Sequence, residues 1–427
     1  MNVVFKTDIL KNGLTVKSLK NRNLHSVNIG IYAHKIPEPV CGIAHLTEHM
    51  FFRRLSDVGQ DRLYYETDRL GATLRAVTYA DFICFDITVS PSRFKAAFNL
   101  IAKFFDDFQW TPREVVAEKK VVRRQIEDRY DSVYSKADMI YYVGTPKGAP
   151  IMGNISNINK ISTRLLNKYR EDVFAPNNCC VVLTGNFSDD DYRYCEKTLN
   201  KISQDREIEC IGQFDYSIKE FSDRDYKSDK IYKSDYEFSD VIISFDVDTK
   251  RVNRYASEIL HSIIGYGVTS KLSRKLREEN GFVSEIDGNI EFSGGKGRMT
   301  FEYEVKNTDL EQSLNAAFEV ISQVKAAVTD EDLKANIVFY TDNQYRILDD
   351  VRELNFLIGH RNFIQNEGIC SIEDLSRRYS ECTIDNINRA ANEILRPQNL
   401  IITASNNSGI YKKSKLADVF EACRKEL

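Results

Sequence analysis

The stretch Gly42-Ile43-Ala44-His45-Leu46-Thr47-Glu48-His49-Met50-Phe51-Phe52 decides how this chain is read. Its apolar positions recur at helical spacing, which predicts a helix over about 42–56. On a helix His45 and His49, four residues apart, project from one face a turn apart and can reach a single ion, with Glu48 beside them. Two imidazoles and a third protein ligand leave zinc an open position for water, and a carboxylate near that water takes its proton. Glu48 is the candidate for that base. An H-x-x-E-H match also occurs as polar decoration of a helix surface. With six His in 427 residues, this spacing with Glu in place arises by chance on the order of one per cent of the time.

Working outward, the chain repeats itself. Pro176-Asn177-Asn178-Cys179-Cys180-Val181-Val182-Leu183-Thr184 is echoed by Pro397-Gln398-Asn399-Leu400-Ile401-Ile402-Thr403. Alternating strand patterns near 26 and 240 each precede a helical stretch, at 42–56 and 251–264. Residues 74–89 read as a hairpin, and 91–107 and 111–133 as helices. Thr111-Pro112-Arg113-Glu114 supplies an N-cap, a proline at the first helical position and a capping-box Glu. Gly294, Gly295 and Gly297 read as a hairpin turn, because a strand pattern and no helix follows them, so nucleotide binding has no support.

These patterns predict two duplicated halves in which a β-α-α-β order recurs, 1–212 with the candidate metal site and 236–427, joined by a linker and first strand over 213–235. The 59 Lys+Arg against 63 Asp+Glu, without long blocks of one sign, argue against nucleic-acid binding. No apolar run approaches the roughly 18 residues of a membrane span. The nine cysteines are odd in number and irregularly spaced, with no CxxC, and the first residues lack the unbroken apolar core of a signal peptide. A cytoplasmic protein with reduced, buried thiols is the expectation.

GIAHLTEHMFF resembles the GxAHxxEHxxF core of the inverzincin peptidases of the pitrilysin, insulinase and mitochondrial processing peptidase family. LYYETDRLGATLRAVTYADFICFDI, REVVAEKKVVRRQIED and KLSRKLREENGFVS are similar to further segments of that family, so the likeness spans most of the chain. The resemblance implies zinc, with His45 and His49 as ligands, Glu48 as general base and Glu118 as an auxiliary glutamate. It implies an α+β fold, two duplicated α/β-sandwich-like domains making half of a clamshell around a peptide substrate. The strand around Arg75, Ala76 and Thr78 resembles the family's edge strand, onto which substrate adds through its main chain.

Two positions depart from the family pattern. The third ligand, a Glu seven residues after Glu118, is here Gln125. Glu127 is no substitute, since a shift of two residues turns the side chain about 200° around a helix. An amide oxygen is a neutral, weaker donor, so metal affinity falls. In the second half Arg277 matches a substrate-binding Arg, but Ser284 stands where the family has Tyr. That pattern implies a heterodimer, with an unlike homologous partner contributing the Arg/Tyr pair. Two readings stand: a zinc-dependent endopeptidase subunit, and a catalytically impaired or non-catalytic peptide-binding subunit of the same family.

Overall fold

The computed structural model describes residues 4–129, 133–142, 148–202, 230–233, 236–293, 295–406 and 413–427. The chain forms two units, each a sheet flanked by helices: one of residues 1–130, 149–214 and 343–375, the other of 131–148, 215–342 and 376–427. The expected linker at 213–235 lies outside the described residues apart from 230–233, and so does Gly294.

The strands of the first unit are β1 (Lys6–Ile9), β2 (Thr15–Lys20), β3 (Val27–His34), β4 (Thr73–Thr78), β5 (Phe82–Val89) and β6 (Cys179–Gly185). They lie in the order β1-β2-β6-β3-β5-β4. The central strand β3 reads BBBBBBBi in burial and is antiparallel to both neighbours, with Ile31 opposite Phe85 on one side and Val181 on the other. Its alternating sequence is buried along its length because both faces of the sheet are covered. The hairpin expected at 74–89 is β4 paired antiparallel with β5. β4 is the last strand of the sheet and alternates between exposed and half-buried residues before ending in buried Thr78.

The second unit repeats this plan with β7 (Lys230–Lys233), β8 (Phe238–Asp248), β9 (Asp287–Ser293), β10 (Lys296–Lys306) and β11 (Leu400–Asn406), ordered β9-β10-β8-β11-β7. In each unit the strand after a Pro-x-Asn turn, β6 or β11, is antiparallel to the central strand and parallel to the strand beyond it. The duplication legible in the sequence is therefore a duplication of topology. Gly295 turns the β9–β10 hairpin at φ 80°, a conformation that favours glycine.

Each sheet carries a segment donated by the other half of the sequence. The helix Val351–Phe356 and its π-helical continuation Leu357–Ile364 lie on β3 and β6. Buried Asn355 donates to the carbonyls of Val182 (2.9 Å) and Asn28 (3.3 Å), and accepts from the Tyr32 hydroxyl at 3.0 Å. A side chain at Gly359 would stand 2.2 Å from the Tyr32 ring, so the helix approaches the sheet only with glycine there. In the second unit the helix Val133–Tyr141 packs Val133 and Ala137 on Ile242, and the Tyr141 hydroxyl bonds Asp246.

Three helices of the first unit build the site: α1 (Ile43–Arg53), α2 (Gln60–Arg69) and α3 (Pro112–Arg129). Thr111 and Glu114 form the expected capping box at the start of α3, with Thr111 N donating to Glu114 Oε2 at 2.7 Å. α1 is anchored by Phe51, whose ring lies within 4.5–5.2 Å of the Phe104, Phe174, Phe85 and Trp110 rings. Deleting such a buried aromatic costs about 3–5 kcal/mol. The opposite side of α1 carries the histidines.

Candidate active site

α1 begins without a side-chain cap of its own, because its N-cap is Gly42 at φ 91°. A Cβ at Gly42 would stand 2.5 Å from the Met152 carbonyl. The carboxylate of Glu38 replaces the missing cap, accepting from Gly42 N at 3.2 Å and Ala44 N at 3.1 Å, and buried Lys35 pairs with it at 3.3 Å. A negative charge at a helix N-terminus is favourable, so Glu38 fixes the start of the helix whose second turn holds the chemistry. Glu38 lies outside any repeated or periodic pattern, so nothing local marks it.

His45 and His49 stand one turn apart with ring centroids at 4.6 Å. α3 packs against this face and presents Glu118 and Gln125, two turns apart. His49 Nδ1 donates to Glu118 Oε1 at 3.0 Å, which leaves its Nε2 as the outward-facing donor atom. Gln125 Oε1 lies 3.2 Å from His45 Nε2. Glu127 is exposed, as its position around the helix from Gln125 requires.

Glu48 is 9% exposed and accepts a hydrogen bond from Thr78 Oγ1 at 2.5 Å. Burial works to raise its pKa, but the Thr78 hydroxyl and the two neighbouring imidazoles prevail and the net shift is downward. His45 Nδ1 is 3.7 Å from Glu48 Oε2, too far for a hydrogen bond, so its influence is that of a nearby polar ring. Glu48 is thus ionised at neutral pH, the form a proton acceptor needs.

Among the described residues no three of His, Cys, Asp and Glu converge to hold a metal ion. The third donor here is an amide. The separation of 3.2 Å between His45 Nε2 and Gln125 Oε1 is close to the ~3.4 Å between two ligands of one tetrahedral ion. His45 Nδ1 is buried without a hydrogen-bond partner, which leaves room for the ring proton when Nε2 turns to a ligand role. That one separation suits two ligands of a single ion, and a donor set of two imidazoles and an amide brings no ligand charge.

Thr78 holds Glu48 with its side chain, a role the strand pattern did not reveal. Arg75 is exposed and Ala76 half-buried on β4, and the outer main chain of this last strand faces away from β5. Arg277 belongs to the second unit, on the π-helical turn Ser273–Glu279, 46% exposed and 3.5 Å from Glu278. A cavity of about 340 Å³ opens beside Glu48 and His49, walled by Phe52, Tyr64 and Val121. At its base Arg53 bridges Glu118 and Gln60. Arg53 follows His49 by one turn on α1, a spacing from which its place could have been read.

Cys179 and Cys180 are fully buried, and burial pushes the Cys180 thiol up to about 12. No helix among the described residues is long and apolar enough to cross a membrane.

Comparison with known proteins bears on the whole chain. The insulinase profile (peptidase family M16) matches residues 19–153, and that of the peptidase M16 inactive domain matches 160–337. A relative in Bacillus subtilis, named uncharacterized zinc protease YmxG, is 22% identical over 76% of this chain and 80% of its own length. Among solved structures, a protease from Helicobacter pylori superposes with a TM-score of 0.82 at 17% identity, over 95% of this chain and 100% of its own. The periplasmic protease PqqL of Escherichia coli gives 0.78 at 13% identity, over 98% of this chain and 50% of its own.

Proposed function

Because the chain belongs to the insulinase family of peptidases, family M16, we propose that it is the metal-site subunit of a zinc-dependent endopeptidase acting on peptides. The observation that carries this reading is the buried Glu48 carboxylate, held by Thr78 beside two imidazoles that share one face of α1. His45, His49 and Gln125 would hold zinc, which when bound supplies a Lewis acid for the scissile carbonyl and its attacking water. Glu48 accepts the water's proton at a carboxylate oxygen and passes it to the leaving nitrogen. Thr78 keeps that carboxylate aimed, and Glu118 keeps His49 in its tautomer. β4 offers its free edge for main-chain pairing with an extended substrate, placing Arg75 outward and Ala76 inward.

The active assembly we propose is a dimeric chamber closed by an unlike homologous chain. Two features support it. This chain matches one half of PqqL, so that a second such length is needed to make up a protein of that size. Arg277 also lacks the companion Tyr, since position 284 is Ser.

A second reading is favoured by one observation, the contact between His45 and Gln125, which satisfies the site without an ion. On that reading the chain binds peptides in the same groove and does not cut them. Zinc content and peptide cleavage by the purified chain, alone and with a homologous partner, separate the two. Stoichiometric zinc with cleavage supports the first, and no zinc uptake from excess zinc supports the second.

A further inference from the structure

Glu118 uses both carboxylate oxygens. Oε1 accepts from His49 Nδ1 at 3.0 Å, and Oε2 accepts from Arg53 Nε at 3.1 Å. The Arg53 guanidinium is held in turn, its Nη1 donating to Gln60 Oε1 at 2.9 Å, and Gln60 Nε2 donates to the Tyr64 hydroxyl at 3.2 Å. The five side chains form one unbroken polar chain across α1, α2 and α3, from Tyr64 on the cavity wall to His49.

From this geometry, and resting on the proposed reading of His49 as a zinc ligand, we infer that Arg53, braced by Gln60, is a positioning residue. It fixes the Glu118 carboxylate, and through it the tautomer and ring plane of His49. A carboxylate that accepts one hydrogen bond from an imidazole is free to rotate about its terminal torsion, which is broad and roughly two-fold. A guanidinium fixed on the second oxygen removes that freedom. The consequence at His49 is a proton confined to Nδ1 and a lone pair confined to Nε2.

A purely structural role for Arg53 accounts poorly for this arrangement. Its side chain is 27% exposed, it borders the cavity, and its removal opens no void in the aromatic core around Phe51. What it does hold is the single acid on which His49 depends. The device also matters more here than with an anionic third ligand, because the neutral Gln125 leaves zinc affinity resting on the orientation of the imidazoles.

The test uses the full-length chain without metal, labelled with [15N]histidine, and the same protein titrated with zinc against a competing chelator. The His49 signal is identified by its loss in His49→Gln. In the parent protein His49 should be a single Nδ1–H tautomer. Arg53→Met should give a mixture of tautomers and weaken zinc binding roughly 10- to 100-fold, with an unchanged thermal midpoint. Arg53→Lys, which keeps a cation on Glu118, should restore much of both. Gln60→Ala should act in the same direction with a smaller effect, and it carries the test if Arg53→Met does not fold. An unaltered His49 tautomer and unaltered zinc affinity in Arg53→Met would overturn the inference. Should the parent bind no zinc, the endopeptidase reading fails, and the tautomer measurement in metal-free protein still decides whether Arg53 positions His49.

Discussion

The amide oxygen of Gln125 faces Nε2 of His45 at 3.2 Å, in the direction from which an anionic ligand would share an ion with that ring. A neutral amide there lets His45 donate its Nε2 proton when no metal is present. The price of metal binding is then a broken hydrogen bond and a relocated ring proton, with no ligand charge gained.

Gln125→Glu should therefore raise zinc affinity by roughly ten- to a hundredfold, since it places an anionic ligand beside the two imidazoles. Competition with a chelator of known affinity measures it. An unchanged affinity would show that position 125 does not contribute a ligand.

Glu48→Gln removes the base and no ligand. Turnover of a peptide should fall at least about 10²–10⁴-fold, while zinc content and thermal midpoint stay near the parent's. Retained turnover would exclude Glu48 as the proton acceptor.

Mixing should create activity. The chain alone should cleave peptides poorly, and a homologous chain carrying the Arg/Tyr pair should raise cleavage on forming a 1:1 complex in sedimentation. Ser284→Tyr, which supplies the absent phenol seven residues after Arg277, should raise the activity of the chain without a partner. Full activity of the unaltered chain as a monomer would refute the paired assembly.

Acid should destabilise both units. Burial lowers the pKa of His34 and of His261 from 6.5 to about 4 in the fold. The unfolded chain therefore binds more protons between those values, and stability falls as pH drops from about 6.5 toward 4. Each buried imidazole costs the fold roughly 3 kcal/mol by the end of that window. Urea unfolding at pH 7 and pH 5 should show the loss, and His261→Gln should reduce it. Equal stability at both pH values would contradict the buried neutral state.

Asn355→Ala should destabilise by about 2–4 kcal/mol, because it removes the buried partner of the Tyr32 hydroxyl and of the Asn28 and Val182 carbonyls. Denaturant titration followed through the first unit would register it. A change below about 0.5 kcal/mol would mean that water reaches these groups.

Much of the fold was legible because it is repetitive. The alternation in Val27–His34 and Phe238–Asp248, the Pro-x-Asn turns and the Thr111 capping box each carry a local physical signature. So did His45, Glu48 and His49, whose spacing on a helix is itself the site's geometry. Residues that act across the chain left no such mark. Thr78 reaches Glu48 from a strand 30 residues away, Glu38 caps a helix from an irregular turn, and Asn355 bonds Asn28 across 327 residues. Their roles arise from packing that only the folded chain brings about. Arg53 lies between the two cases, visible as the next turn after His49 but silent about its partner on α3.

The exchange of segments between the two halves has a consequence for biosynthesis. The first unit is completed by Asn343–Leu375, which the ribosome makes only after most of the second unit has emerged. Until then the Tyr32 face of the first sheet has no helix to cover it, and a nascent chain that has already made His45, Glu48 and His49 carries that face bare. Truncated products ending before residue 343 would lack that cover and be targets for chaperones and proteases, so the first unit is complete only once translation has passed residue 375.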